Sequence, residues 1–239
     1  MLGRRTLLAL ALGLAAIADA EGADRVLFIG NSLTAGNDLP LVVEAMAREK
    51  GLSLVSEAVT YPNLSLEDHW ERDTQAVIRR GGFKYVVLQQ GPSSLPESRE
   101  NLREWTKRFG EEIRQAGAIP ALYMVWPDRS RLAFFSEVKE SYRRAAEDVK
   151  GVLLPAGEAW LAAWRRDPKL KLYAADNFHP SRLGTYAAAA AILSGLTGVS
   201  PQGLPARLQL RNGYDYRVDD REARIVLEAV AEVTLRAKR

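Results

Sequence analysis

Short runs of β-branched and other apolar residues alternate along the chain with longer stretches in which apolar residues recur every three or four positions. The short runs predict buried strands and the longer stretches predict amphipathic helices. Strands are predicted at residues 26–29, 52–59, 85–89, 120–125 and 152–155. Helices are predicted at residues 39–50, 66–80, 99–116, 132–149, 181–196 and 221–236.

This regular alternation is typical of parallel strands that are joined by right-handed helical crossovers. Helices then cover both faces of the sheet, which agrees with strands that are apolar along their whole length. The sequence therefore predicts an α/β protein, a three-layer α/β/α sandwich around a five-stranded parallel sheet. Ligands of such folds bind beyond the carboxyl ends of the strands, so a functional site is expected in the loops that follow them.

The beginning of the chain differs from the rest. Two arginines precede an apolar run at residues 6–18, and a small-x-small sequence ends at Ala20. The run is shorter than the roughly 20 residues that a membrane-spanning helix needs. We therefore predict a cleavable signal peptide over residues 1–20 and a single domain over residues 21–239, with no integral membrane span in the mature chain. An uncleaved, membrane-associated leader is the alternative, and the arginine pair leaves both the general and the twin-arginine export routes open.

Composition narrows the chemistry that is available to the protein. The chain has no cysteine and two histidines, His69 and His179. Disulfides, a cysteine nucleophile and thiolate metal sites are therefore impossible, and no zinc-ligand spacing is present, so we expect neither metal nor cofactor. The formal net charge is +3 with scattered basic pairs. Because no continuous basic stripe appears, no nucleic-acid partner is expected.

Two short motifs place the groups of a serine hydrolase in the loops at strand ends. Ser32 follows the first strand within GNSLT, where Gly30 is expected to adopt torsions closed to other residues. A serine nucleophile needs a base and a group that orients the base, and Asp176 and His179 within DNFHP supply both. Pro180 restricts the histidine and suits the start of the next helix. Alone, the first motif could be a helix cap and the second a solvated turn, but together they predict a triad.

In the order and content of these motifs the chain resembles the SGNH (GDSL-like) hydrolase superfamily, whose first block reads G-D-S-[LIV]-[TS] and whose last reads D-x-x-H-[PL]. The resemblance spans about residues 25–197. It implies a flavodoxin-like SGNH hydrolase fold in which Ser32 is the nucleophile, His179 the general base and Asp176 the residue that orients it. Asn31 stands where the superfamily most often has Asp, and an asparagine can make the same bracing hydrogen bonds within the turn.

The middle blocks match less well. The resemblance implies an oxyanion hole formed by the N–H of Ser32, a glycine N–H from the second block and an asparagine side chain from the third, G-x-N-D. Asn63 stands in the place of that glycine and keeps the N–H, although a plain turn before a helix is the alternative. In the third block Gly91 aligns with the glycine and Ser93 with the asparagine, while Gln90 carries an amide donor. Either Gln90 or Ser93 is expected to complete the hole.

No catalytic role is predicted for two other residues, His69 in a predicted helix and Trp126 at the end of a strand. His69 is expected to be a partly exposed helical residue. Trp126, after the fourth strand, is expected to pack at the rim of the site or to stack on a sugar ring.

The sequence thus predicts a secreted or periplasmic serine esterase that hydrolyses short-acyl or acetyl esters through an acyl-enzyme. Small-molecule, glycan and lipid esters are all candidate substrates, and the oligomeric state is left open. One alternative is an acyltransferase that uses the same triad on a glycan acceptor. The other is a noncatalytic envelope- or carbohydrate-binding module with the same fold. A flavodoxin-like cofactor binder is disfavoured because the first turn lacks a glycine-rich phosphate loop.

Overall fold

The computed structural model describes residues 22–236 of the 239-residue chain. The signal peptide predicted over residues 1–20 lies outside the described residues. Within residues 22–236, no helix is both long enough and apolar enough to cross a bilayer.

A five-stranded sheet forms the centre of the described chain. Its strands are Asp24–Gly30 (β1), Leu54–Thr60 (β2), Tyr85–Leu88 (β3), Ile119–Tyr123 (β4) and Val152–Leu154 (β5). All neighbours pair in parallel, in the order β2-β1-β3-β4-β5. In β1 the run from Val26 to Ile29 is completely buried, as expected of a central strand that is covered on both faces. The predicted fold class is therefore confirmed.

Helices flank the sheet in two groups. Those in the described chain are Ser32–Ala35 (α1), Leu39–Glu49 (α2), Leu66–Glu71 (α3), Gln75–Arg79 (α4), Pro96–Gln115 (α5), Phe135–Asp148 (α6), Ala156–Arg166 (α7), Arg182–Thr197 (α8) and Asp220–Arg236 (α9). Helices α2, α7, α8 and α9 pack against one another, and α3, α4 and α6 pack on α5. These two groups are the outer layers of the sandwich.

Three elements differ from the sequence prediction. The single helix expected over residues 66–80 is divided into α3 and α4, because Asp73 adopts a left-handed φ of 55° that interrupts the helical turn. Helix α7 was not predicted, although its buried residues recur every three or four positions, as they do in the helices that were predicted. The antiparallel hairpin of Arg207–Gln209 (β6) and Asp215–Arg217 (β7) was also missed, since strands of three residues are too short for their alternation to be recognised.

The strand order determines where a site can form. The chain runs from β1 outward to β2 and then returns to β3 on the other side of β1. Crossovers therefore leave the centre of the sheet in opposite directions, which opens a crevice at the carboxyl ends of β1 and β3. Three loops converge there. They are residues 31–34, called the nucleophile turn after the role predicted for Ser32, the β2 loop at residues 61–65 and the β3 loop at residues 89–95.

Candidate active site

Ser32, His179 and Asp176 form a hydrogen-bonded chain at this crevice. Ser32 Oγ lies 2.9 Å from His179 Nε2, and His179 Nδ1 lies 2.6 Å from Asp176 Oδ2. Because a carboxylate can only accept, Nδ1 carries the proton and Nε2 is left to accept the serine hydroxyl. The arrangement can remove a proton from Ser32, which is the chemical requirement for a serine nucleophile.

The Asp176 carboxylate also organises its own turn. Its Oδ1 accepts hydrogen bonds from the N–H groups of Phe178 and His179, each at 3.0 Å. These backbone donors, led by Phe178, together with the His179 ring, hold the pKa of Asp176 below its ordinary value. The side chain therefore stays ionised and faces the imidazole as an acceptor, although about half of it is exposed to solvent.

The loop that bears Asp176 and His179 is closed on itself. Tyr173 and Pro180 form an antiparallel bridge across its base, and the N–H of Ala174 donates to the carbonyl of His179 at 2.8 Å. The Tyr173 hydroxyl in turn donates to the carbonyl of Pro127 at 2.6 Å. The backbone on both sides of the histidine is therefore held to its neighbours rather than left in solvent.

Two side chains from other elements anchor this loop. Trp126 Nε1 donates to the carbonyl of Phe178 at 3.0 Å, and Asn37 Nδ2 donates to the carbonyl of Pro180 at 3.0 Å. Trp126 is completely buried, with its ring stacked on Trp160 at a centroid distance of 3.5 Å. Stacking of Trp126 on a sugar is therefore excluded by burial, and the residue positions the loop instead. Asn37 was not identified from the sequence, where it is an ordinary polar turn residue.

Gly30 is required before Ser32 for a reason other than the one predicted. Its backbone is not in the left-handed region, so torsional freedom is not what it supplies. A Cβ at this position would lie 2.4 Å from Gln89 Oε1 and 2.5 Å from Thr34 Oγ1. The glycine is needed because the β3 loop and the nucleophile turn approach each other too closely for a side chain.

Gln89 forms hydrogen bonds across this close approach. Its Oε1 accepts from the N–H of Asn31 at 3.0 Å and from Thr34 Oγ1 at 2.6 Å. Its Nε2 donates to Asn31 Oδ1 at 3.0 Å. The side chain is completely buried, so no water competes for these partners. Gln89 therefore braces the turn that carries Ser32, a role that sequence reasoning did not give it.

Gln90 connects the β3 loop to the start of α3 by hydrogen bonds. Gln90 Oε1 accepts from the N–H of Leu66 at 3.0 Å, and its Nε2 donates to Ser93 Oγ at 3.0 Å. The Ser93 hydroxyl donates to the carbonyl of Gly91 at 3.1 Å, and Ser93 has a left-handed φ of 54°. Both side chains named from the sequence as oxyanion donors are thus buried and hydrogen-bonded to each other.

Two recesses meet at Ser32. The larger, of about 620 Å³, is lined by all the residues predicted for the oxyanion hole: Ser32, Asn63, Gln90, Gly91 and Ser93. The smaller, of about 350 Å³, borders Ser32 and His179. Asn63 has a φ of 62°, a left-handed torsion that asparagine tolerates. Among residues 22–236, no group of three or more histidine, cysteine, aspartate or glutamate side chains is arranged to hold a metal ion.

His69 is completely buried, contrary to the exposure expected from the sequence. Its Nε2 lies 2.9 Å from the carbonyl oxygen of Gly30 and its Nδ1 3.2 Å from Thr74 Oγ1. Since the carbonyl can only accept, Nε2 carries the proton and Nδ1 accepts the threonine hydroxyl. Burial lowers the pKa of His69, so the ring stays neutral and supports the backbone just before the nucleophile turn.

Solved structures with the same fold include proteins described as an SGNH hydrolase and as an esterase. A protein from Slackia heliotrinireducens assigned to the SGNH hydrolases is 25% identical, with a TM-score of 0.63 over 73% of this chain and 99% of that chain. A DUF4886 family protein from Bacteroides uniformis is 17% identical, with a TM-score of 0.71 over 89% of this chain and 95% of that chain. A variant of an acetyl-xylooligosaccharide esterase from Geobacillus is 15% identical, with a TM-score of 0.57 over 73% of this chain and 94% of that chain.

These similarities are structural. No protein-family model and no curated protein sequence matches the chain. The five-stranded sheet with its flanking helices is nevertheless that of the SGNH hydrolases. The resemblance that the GNSLT and DNFHP motifs indicated is thereby confirmed at the level of the fold.

The burial of His69 predicts how stability changes with pH. Because its pKa in the folded protein lies below the value of about 6.5 in an unfolded chain, the unfolded state takes up the proton first as the pH falls. The contribution of His69 to stability is complete above about pH 6.5 and is lost as the pH falls towards the folded pKa. From about pH 8 to about pH 5, the free energy of unfolding should therefore fall more for the wild type than for His69→Gln.

Urea unfolding of the two proteins at several pH values measures this difference. All other titrating groups are shared by the two proteins, so their effects cancel in the comparison. Parallel pH profiles would show that His69 is not a neutral, buried group.

Proposed function

We propose that this protein is a serine esterase that hydrolyses carboxylic esters through an acyl-enzyme on Ser32. The observation that carries the proposal is the chain of hydrogen bonds from Ser32 Oγ to His179 Nε2 at 2.9 Å and from His179 Nδ1 to Asp176 Oδ2 at 2.6 Å. It lies at the carboxyl end of β1, where this fold binds ligands. A complete triad of this kind favours an enzyme over a noncatalytic binding module.

In the acylation half of the reaction, Ser32 Oγ attacks the ester carbonyl carbon while His179 Nε2 accepts the hydroxyl proton. The carbonyl oxygen becomes an oxyanion, and the imidazolium that forms is stabilised by the ionised Asp176. His179 then gives the proton to the leaving alkoxide as the carbon–oxygen bond of the ester breaks. The alcohol departs and the acyl group remains on Ser32.

In the deacylation half, water takes the place of the alcohol. His179 removes a proton from the water while the water oxygen attacks the acyl carbon, and a second oxyanion forms. The proton returns to Ser32 Oγ as the tetrahedral intermediate collapses, which releases the carboxylic acid. The sum of both halves is ester plus water giving acid plus alcohol.

We infer that the oxyanion is bound by the N–H groups of Ser32 and Asn63 and by the Ser93 hydroxyl. Ser32 is the first residue of α1, so its N–H has no acceptor within that helix. Between Gln90 and Ser93, the serine is the better donor because its hydroxyl proton can rotate from the carbonyl of Gly91 towards an oxyanion. Gln90 donates to Ser93 Oγ and is held at its other end by Leu66, so it orients the serine.

The recesses beside Ser32 support a short-acyl or acetyl substrate. The smaller recess of about 350 Å³ is bounded by Ala35, Tyr61, Pro62 and Pro180 and has room for a short acyl group. The larger cleft carries serine and asparagine side chains that suit a polar alcohol such as a sugar. The structural similarity to an acetyl-xylooligosaccharide esterase agrees with this assignment.

We also propose that the protein is exported and works in the periplasm or the extracellular medium. A signal peptide that is cleaved after Ala20 is supported by Arg4 and Arg5, by the apolar run after them and by the small residues Ala18 and Ala20.

Mass spectrometry of the product exported by a bacterial host should find Glu21 as the first residue. An intact amino terminus on membrane-bound protein would contradict soluble export.

Ser32→Ala should lower the hydrolysis of a chromogenic acetyl ester by roughly 10³–10⁶-fold, since the hydroxyl forms the covalent intermediate. A fluorophosphonate probe should label Ser32 in the wild type and nothing in the variant. Ser136→Ala, an exposed serine on α6, is the matched control and should retain full activity. Labelling at another residue, or activity that survives in Ser32→Ala, would falsify the nucleophile assignment.

Ser93→Ala should lower kcat by roughly 10²-fold with a smaller change in KM, because the hydroxyl is proposed to turn to the oxyanion, which forms only after Ser32 attacks. Ser93→Gly should show the same loss, and it removes the strain of a left-handed alanine. Asn63→Gly keeps the backbone donor and should be mild. If both Ser93 variants stay within about tenfold of the wild type, the hole is completed by another group, and Gln90→Ala tests the amide as that donor.

A further inference from the structure

The side chain of Asn31 joins the nucleophile turn to the β2 loop. Its Oδ1 accepts from the N–H of Leu33 at 3.1 Å and from Gln89 Nε2 at 3.0 Å. Its Nδ2 donates to the carbonyl of Leu64 at 3.1 Å. Two donors face one end of the amide and a carbonyl faces the other, so a single orientation of the asparagine satisfies all three.

The β2 loop is held at three points by groups near Ser32. At its start, the N–H of Tyr61 donates to the last carbonyl of β1 at 3.2 Å. Just past its end, the first N–H of α3 donates to Gln90 Oε1 at 3.0 Å. In the middle of the loop, the carbonyl of Leu64 accepts from Asn31, and the N–H of Leu64 donates within the loop to the carbonyl of Tyr61 at 3.4 Å. Leu64 is bonded directly to Asn63, whose N–H is the donor from this loop in the proposed oxyanion hole.

We propose that Asn31 is a positioning residue, whose hydrogen bond to the Leu64 carbonyl sets the place of the Asn63 N–H relative to Ser32. This inference rests on the proposed esterase function. An oxyanion donor is effective only within about 2.7–3.1 Å of the developing charge, so a small displacement of the β2 loop lowers kcat. Substrate binding depends much less on this one contact, and KM changes little.

The same geometry accounts for asparagine in place of the aspartate that is usual in the SGNH first block. An aspartate at position 31 would keep both acceptor contacts but would set a carboxylate oxygen against the Leu64 carbonyl oxygen. Asn31 is only 6% exposed, so water would neither screen this repulsion nor solvate the unpaired oxygens. The loop would have to move away from Ser32.

Asn31→Asp is therefore the informative substitution, since it changes one NH₂ group to oxygen and leaves the shape of the side chain. At about pH 8 we expect kcat for an acetyl ester to fall about tenfold or more, with KM within about threefold of the wild type. Gln115→Glu, an exposed residue at the end of α5 where the chain enters β4, makes the same exchange of amide for carboxylate at the sheet edge opposite Ser32 and should have wild-type kinetics.

The pH dependence separates positioning from a general weakening of the turn. When the introduced carboxyl group is protonated, its O–H can donate to the Leu64 carbonyl and restore the lost contact. The ratio of the kcat of Asn31→Asp to that of the wild type should therefore rise as the pH falls from about 8 to about 5. Normalising to the wild type removes the pH dependence that is common to both proteins.

Asn31→Ser provides a second test that does not depend on how the aspartate variant folds. A serine can still accept from the N–H of Leu33 as a helix cap, but it is too short to reach the Leu64 carbonyl. We expect a similar loss of kcat, with a ratio to the wild type that does not change with pH.

The inference is overturned if either variant keeps kcat within about twofold of the wild type at about pH 8, or if the ratio for a folded Asn31→Asp is flat with pH. In those cases, hydrolysis and probe labelling of Ser32 in the wild type leave the esterase proposal intact. A wild type that neither hydrolyses esters nor reacts with the probe would instead contradict the proposed function itself.

Discussion

The close approach of β1 and β3 at their carboxyl ends controls the geometry of the whole site. Because Gly30 has no Cβ, Gln89 Oε1 reaches the N–H of Asn31 at 3.0 Å, where a methyl group would lie only 2.4 Å from that oxygen. Helix α1 has four residues and could not hold the turn by itself. The buried amide of the neighbouring strand supplies that rigidity, and the orientation of Ser32 follows from it.

Neutral amides, rather than charges, connect the three loops of the crevice. Gln89 and Gln90 are adjacent in the chain. Gln89 binds the nucleophile turn and Gln90 binds the start of α3. Asn31 binds the β2 loop. Each such bond contributes only about 1 kcal/mol net, but a buried partner left unsatisfied costs about 1–3 kcal/mol. The network therefore penalises displacement of any one loop more than it stabilises the fold as a whole.

The loop that bears Asp176 and His179 is held by residues outside this network. Its contacts come from Trp126, which is stacked in an aromatic cluster, and from Asn37, just past α1. Asn37 donates to the carbonyl of Pro180, the residue after His179. The segment that follows Ser32 is therefore hydrogen-bonded to the segment that follows His179. A serine and a histidine that are 147 positions apart along the chain thus meet at 2.9 Å because each of their loops is held in place.

Local patterns in the sequence determined the α/β class, the five strands and the three residues that the structure brings into one hydrogen-bonded chain, because hydrophobic period and turn-forming residues act over a few positions. Tertiary structure alone decided that His69 is buried beneath Gly30, that Trp126 is inaccessible to a sugar, and that both Gln89 and Gln90 are braces. An amide or an imidazole can donate or accept with almost any polar group. Its partner is therefore set by which distant segments the fold brings within about 3 Å, and no pattern along the chain encodes that distance.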